Sequence, residues 1–287
     1  MANDTVYLNG QFLNKQKARI SPLDRGFLFG DGIYEVIPCQ AGKLIGFELH
    51  IQRLRAGLDS ISISLDWSYQ QWQDIIESLM KRNQAKDVSV YIQVSRGTDR
   101  IRQHGFSQDI SPTIFVMCQA MASSAYLAAV DSPELQVMTQ LDQRWRNCHI
   151  KATSLLANVL HFQHAQRLHV DETLLYNAQQ QLTEGSTSNV FVVKKGRVFT
   201  PPLDNQILPG VTRAMLIDML TKHTQIEVVQ KPILLSDART ADEIWLTSSS
   251  KQVSAVVTLD GVAVGNGAKG KWCDIAQQLF DRLKFSY

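Results

Sequence analysis

Short runs of β-branched and aromatic residues, each closed by a tight-turn signal and followed by a second such run, recur along this chain. "TVYLNGQFLN" is the first, and its Asn9-Gly10 is a dipeptide that suits a primed two-residue turn, where both central residues take positive φ. "GIYEVIPCQAGKLIGF", "TLLYNAQQQLTE", "NVFVVKKGRVFT" and the stretch around Asp260-Gly261 repeat the pattern. Strands joined this directly pair antiparallel, which argues against a doubly wound parallel sheet built on crossover helices. "VSVYIQVSRG", "TIFVMCQAM", "LQVMTQL" and "EIWLTSS" read as further strands. "ELHIQRLRAGLDSI", "SYQQWQDIIESLMKRN", "GVTRAMLIDMLTKH" and "WCDIAQQLFDRLKF" read as helices among them. The expected class is therefore α+β, with hairpin-rich mixed sheets and packed helices.

At 287 residues the chain can bury one large core or two modest ones. The pattern loosens into small and polar residues in "QAMASSAYLAAVDSPE". This predicts an N-terminal α/β domain over 1–120, a linker over 121–130 and a C-terminal domain over 131–287. Lys plus Arg number 29 against 27 Asp plus Glu, so a net charge of +2 gives no electrostatic case for nucleic acid or an anionic membrane. Cys39, Cys118, Cys148 and Cys273 form no CxxC pair and read as reduced, mostly buried thiols of a cytoplasmic protein. The opening "MANDTVYLNG" shows no signal-peptide pattern, and no apolar run approaches the roughly 20 residues of a membrane span. The seven histidines, including His161, His164 and His169 of "HFQHAQRLH", show no metal-ligand spacing, so no metal is expected.

Chemistry is concentrated in a few motifs. "HIKATSLLANVL", His149 to Leu160, reads as a long helix with Lys151 near its start. Cations are disfavoured there, so this lysine either reaches out to water or is used as an uncharged amine. In "ILPGVTRAMLIDML", Pro209-Gly210 bends the chain and Val211-Thr212 opens a helix, which is either ordinary capping or an anion site. "WLTSSSKQ" places Ser248, Ser249 and Ser250 after a strand, as a solvated turn or a second anion contact. Glu184 in "LTEGSTSNVFVV" is either an exposed turn residue or the holder of a cationic ring nitrogen. "SRGTDRIRQHGF" carries Arg96, Arg100, Arg102 and His104, a solvated basic loop or a carboxylate clamp. A reactive lysine, a phosphate cup and an acidic partner for a pyridine nitrogen are the parts a pyridoxal 5'-phosphate enzyme needs.

The motifs "RGFLFGDGIYEV", "RWRNCHIKATSLLANVL", "LTEGSTSNVFVV" and "ILPGVTR" resemble those of the class IV (fold type IV) pyridoxal-phosphate-dependent aminotransferases. Within that family the chain is most similar to the D-amino acid (D-alanine) aminotransferases, and the resemblance covers nearly its whole length. It implies a two-domain fold type IV enzyme whose C-terminal domain binds pyridoxal 5'-phosphate. Lys151 falls on the Schiff-base lysine, which also shuttles the substrate proton. Glu184 falls on the carboxylate beside the pyridine nitrogen, and Arg53 in "HIQRLRAGL" on the arginine that reaches the phosphate. Val211 and Thr212 match the phosphate cup, Ser249 a cup hydroxyl that is threonine in the D-alanine branch, and Leu208 the residue packed on the ring.

The same resemblance makes Arg102 and His104 a clamp for the substrate carboxylate, together with Tyr34. This loop is one residue longer than the usual form, which leaves Arg100 as the substitute register. The implied reaction passes the amino group of a D-amino acid, D-alanine first, to a 2-oxo acid such as 2-oxoglutarate. The enzyme is then a homodimer with sites near the interface and the clamp loop supplied by the partner. The rival readings on the same fold are aminodeoxychorismate lyase, branched-chain aminotransferase and (R)-amine transaminase; a cofactor-binding protein without turnover would lack Lys151 or Glu184.

Overall fold

A computed structural model describes residues 4–121 and 134–287, so the predicted linker over 121–130 lies almost wholly outside the described residues. These residues gather into two units, each built on its own sheet. The first takes in the described residues up to 121 together with Ile150–Leu155 and Tyr287; the second takes in 134–149 and Leu156–Ser286.

The first unit contains β1 (Thr5–Leu8), β2 (Gln11–Asn14), α1 (Arg25–Phe29), β3 (Gly32–Gln40), β4 (Lys43–Leu44), α2 (Phe47–Ser60), α3 (Tyr69–Asn83), β5 (Val88–Ser95) and β6 (Thr113–Ala120). Its sheet runs β2-β1-β6-β5-β3-β4, with every pairing antiparallel. The first hairpin turns as its sequence requires, Asn9 at φ 46° and Gly10 at φ 92°. Ala41 and Gly42 repeat that backbone between β3 and β4. Ser68 and Gln71 close a capping box at the start of α3, satisfying two otherwise orphaned N–H groups. Ile51 and Leu54 of α2 and Trp72, Ile76 and Leu79 of α3 cover one face of β3, β5 and β6, where Ile33, Ile37, Val90, Ile92 and Val116 are buried.

The second unit contains β7 (Leu135–Leu141), α4 (Leu156–Arg167), β8 (Glu172–Tyr176), β9 (Leu182–Gly185), β10 (Asn189–Lys194), β11 (Arg197–Thr200), α5 (Val211–His223), β12 (Val228–Gln230), α6 (Leu235–Ala238), β13 (Glu243–Ser248), β14 (Gln252–Leu259), β15 (Val262–Ala263) and α7 (Lys271–Leu283). Its sheet runs β12-β11-β10-β13-β14-β7-β8-β9, with β15 on β14. The hairpins pair antiparallel and β7–β8, β14–β7 and β11–β12 pair parallel, so the sheet is mixed as expected.

One expectation fails. The segment "HIKATSLLANVL" is not a single helix, because α4 starts at Leu156 and Lys151 lies in extended chain before it. Long-range pairing wins over local helix preference here. Ala152 bridges Ile33, Tyr34 N–H donates to Lys151 O at 3.0 Å, and Thr153 N–H donates to Gly32 O at 2.9 Å. The Thr153 hydroxyl adds a bond to Gly30 O at 2.9 Å. Placing Lys151 at a helix start therefore gives no reason for a neutral amine. Among the described residues no helix is long and apolar enough to cross a membrane, and all four cysteines are buried without a disulfide.

Candidate active site

The extended backbone that replaces the helix fixes Lys151 beside β3. Its Nζ sits 4.0 Å from the centroid of the Tyr34 ring, which stacks at 5.8 Å on Tyr91 of the neighbouring strand. Two of the predicted residues thus come together in the first unit, the lysine half-buried against an aromatic face. Burial pushes the Tyr91 hydroxyl up to about 12, so that neighbour stays neutral.

Behind Tyr34, β3 turns Glu35 to the other face, toward α2. Arg53 donates from Nε and Nη2 to the two Glu35 oxygens at 2.7 and 2.8 Å, and His50 Nδ1 lies 2.7 Å from Oε2. Burial alone would raise the Glu35 carboxyl, but the Arg53 guanidinium, then His50, holds it well below the usual carboxylate range. Burial likewise drives the His50 imidazole down, against the pull of Glu35. The predicted phosphate arginine is thus set by a fully buried carboxylate that the sequence reading did not single out.

The basic loop separates into distinct parts. Arg96 is buried at the end of β5 and forks onto Asp31 at 2.8 and 3.0 Å, so it belongs to the framework. Arg100 is exposed and meets Asp109 at 3.3 Å. Arg102 and His104 are exposed, each beside the Phe29 ring. What fixes this loop is Arg25 of α1, also bound to Asp31. It donates to the carbonyls of Gln103 at 2.7 Å, His104 at 2.9 Å and Gly105 at 3.1 Å. Arg25 is only 4% exposed, so the loop is held by its backbone while its cationic side chains face outward.

In the second unit Glu184 stands at the end of β9 and is not an exposed turn residue; it is buried. Arg144 donates to its Oε1 at 2.5 Å, while Asn189 Nδ2 at 3.0 Å and the Leu208 N–H at 2.9 Å reach Oε2. Arg144 also binds Asp142 through Nε and Nη2 at 3.0 and 2.8 Å. Burial dominates over these partners, and the Glu184 carboxyl is pushed up to about 7. Arg144 opens the motif quoted around Lys151 and Asp142 lies two residues before it, yet nothing in their spacing points to a residue 40 positions from Arg144.

Asn189 carries the arrangement onward. Its amide also donates to Leu208 O at 2.9 Å, and a Cβ on Gly210 would lie 1.9 Å from its Oδ1. Only glycine lets the Leu208–Val211 bend approach so closely. Gly210 is the N-cap of α5 and gives it no side-chain cap, so the helix opens with Val211 and Thr212 N–H groups free of one. Thr247 Oγ1 at the end of β13 is buried without a hydrogen-bond partner, just ahead of Ser248–Ser250. Ser249 is half-buried in that turn, and Leu208 is half-buried beside the Glu184 contact. An uncapped helix start, an unpartnered hydroxyl and a carboxyl raised to about 7 suit a ligand with an anionic group and a protonatable ring nitrogen.

Residues 32–259 match the class IV aminotransferase family. The chain is 33% identical over 279 residues to the D-alanine aminotransferase of Staphylococcus haemolyticus, covering 96% of each. Its fold superposes on the branched-chain amino acid aminotransferase of Escherichia coli with a TM-score of 0.89, at 20% identity over 98% of this chain and 95% of that one. The pyridoxal-phosphate form of the branched-chain enzyme from Thermobaculum terrenum gives a TM-score of 0.86 at 18% identity, over 99% of this chain and 94% of that one.

Proposed function

The chain belongs to the class IV aminotransferases, and on that footing we propose that it moves the amino group of a D-amino acid, D-alanine first, to a 2-oxo acid such as 2-oxoglutarate. The family depends on pyridoxal 5'-phosphate, and the donor set of the second unit fits that cofactor. One observation carries the choice of a D-amino acid: the Arg102–His104 loop is gripped through its backbone by Arg25, which leaves both side chains for a substrate carboxylate. The likeness to D-alanine aminotransferases points the same way. The solved branched-chain enzymes, at 20% identity or less, speak for the fold alone.

When bound, pyridoxal phosphate supplies a ring that takes up the electron pair left as the substrate Cα–H bond breaks. Lys151 would hold the cofactor covalently through Nζ and, once the substrate amine has displaced it from that bond, would be free to accept the Cα proton and give it back to the substrate–cofactor skeleton. Glu184 keeps the proton on the ring nitrogen. Arg53, Val211, Thr212 and Ser249 bind the phosphate, and Leu208 packs against the ring. Tyr34, Arg102 and His104 orient the α-carboxylate. The net exchange converts D-alanine and 2-oxoglutarate into pyruvate and D-glutamate.

The same reading makes the enzyme a cytoplasmic homodimer with the clamp loop serving the partner's site. In its support, α4 exposes Leu156, Val159 and Leu160 at 73%, 57% and 62% on one stripe of spacing i, i+3, i+4. Sedimentation equilibrium is expected to give twice the chain mass of 32.3 kDa.

The direct test is the visible spectrum of the holoenzyme with D-alanine and no acceptor. Loss of the cofactor's long-wavelength band with stoichiometric pyruvate is expected. A response to L-leucine instead of D-alanine would transfer the enzyme to the branched-chain branch. Lys151→Ala is expected to lose both that band and all transamination; turnover at the normal rate would refute the role of Lys151.

A further inference from the structure

Glu172, at the start of β8, is fully buried and collects donors from three directions. Oε1 accepts from the Thr173 N–H at 3.1 Å and from the Ser186 hydroxyl. Oε2 accepts from the Thr187 hydroxyl at 2.5 Å, the Ser188 hydroxyl at 3.3 Å and the Lys251 ammonium at 3.2 Å. Residues 186–188 join Glu184 at the end of β9 to Asn189 at the start of β10, the two side chains that shape the carboxylate site.

Lys251 comes from a different place. It closes the serine turn between β13 and β14, where its N–H donates to Ser248 Oγ at 3.0 Å and its carbonyl accepts from Ser254 at 2.9 Å. From there Nζ reaches Thr187 Oγ1 at 3.0 Å as well as Glu172. Its side chain is 19% exposed. One largely buried ion pair therefore ties the serine turn to Glu172, 79 residues away in sequence, and through Glu172 to the hydroxyl loop.

We infer that Glu172 and Lys251 are positioning residues for the cofactor phosphate: the pair fixes the Ser248–Ser250 turn against residues 186–188 and sets Ser249 in place before the phosphate arrives. The inference rests on the reading of Ser249 as a phosphate contact. Charge gives the pair its asymmetry. Glu172 alone would put an uncompensated anion under a cup built for a phosphate, and Lys251 cancels that charge. With lysine removed, the turn loses its anchor and the phosphate faces a bare buried carboxylate.

The test compares pyridoxal 5'-phosphate with pyridoxal, which lacks the phosphate, each titrated by absorbance into protein from which the cofactor has been resolved. Lys251→Met is expected to raise the Kd for pyridoxal phosphate about tenfold while the Kd for pyridoxal stays within about twofold. Lys251→Arg is expected to restore tight binding, and adding Glu172→Gln to Lys251→Met to recover part of the loss by removing the stranded charge. Equal weakening of both ligands by Lys251→Met would mean a structural role only and overturn the inference. An unchanged Kd for pyridoxal phosphate would overturn it too, and would leave the proposed function standing. Failure of the unaltered protein to bind pyridoxal phosphate would overturn both.

Discussion

Each unit buries a glutamate beside an arginine, and the two pairs end in opposite states. Glu35 is held well below the usual carboxylate range, whereas Glu184 is pushed up to about 7. Both are almost inaccessible to water, so desolvation acts on both. The difference lies in how much positive charge each receives. Arg53 gives Glu35 a two-pronged bond, and His50 adds a contact of its own. Arg144 gives Glu184 one Nη and commits its Nε and other Nη to Asp142, whose own charge raises Glu184 further. A carboxylate bridged by both prongs of a guanidinium is a fixed structural charge. One that shares its cation retains capacity for another, and a protonated ring nitrogen is a partner of the required kind.

The largest break in that comparison is expected from Glu184→Gln. The amide keeps the shape and can still accept from Leu208 and Asn189, but it cannot hold a cation. Turnover is expected to fall by about 10²–10³-fold, the range for loss of one preorganised electrostatic group. The effect on the stability of the cofactor-free protein is expected to depend on pH, because the Glu184 carboxyl is raised to about 7 on folding. Steady-state kinetics with D-alanine measures the first, and a loss of less than threefold would remove Glu184 from the ring-nitrogen role.

Glu35→Gln is the complementary experiment, with its effect on folding. Removing this charge takes from Arg53 its two-pronged partner and from His50 a carboxylate contact. Breaking one side of a buried ion pair costs about 3–5 kcal/mol. Urea unfolding of the cofactor-free protein is expected to show a loss of that order; a loss below about 1 kcal/mol would show that Glu35 is not the anchor of Arg53.

The two carboxylates also differ from the rest of the fold in how far the sequence disclosed them. Asn9-Gly10 announced its turn because the constraint is local: two positive φ angles that few residues supply. The helices over Phe47–Ser60 and Tyr69–Asn83 were equally legible from their apolar spacing. The motif marks Lys151 but not its setting, since Lys151 and Ala152 pair with Tyr34 and Ile33, far upstream, and no local pattern reports such partners. Mixed sheets are expected from the sequence, but which strands pair parallel, here β7 with β8 and β14, has no local signal for the same reason. The role of Arg25 has no sequence signal, because it binds backbone carbonyls 78–80 residues away, and carbonyls carry no side-chain signature. Motifs identified the groups that would touch a ligand. The buried ions that hold those groups in place had to wait for the fold.

The finest way to separate Glu35 from Glu184 is the pH dependence of stability, read as the difference in Tm between the unaltered cofactor-free protein and each glutamine variant. Glu184 is raised on folding, from an ordinary 4.5 to about 7. Its protonated form is favoured in the native state, so its contribution is fully present below about 4.5 and is lost as pH climbs to about 7. Relative to Glu184→Gln, the unaltered protein is therefore expected to lose ground by a few degrees between those values and to level off above them. Glu35 is lowered on folding, so its contribution is complete above about 4.5 and is lost only as the solution becomes more acid. Relative to Glu35→Gln, the curve is expected to be flat from pH 5 to 8 and to fall below that window. Opposite slopes in separate windows would establish that the two buried glutamates are ionised by different means. Parallel curves would show that Arg144 supplies Glu184 as fully as Arg53 supplies Glu35, and the spare capacity assigned to Glu184 would be gone.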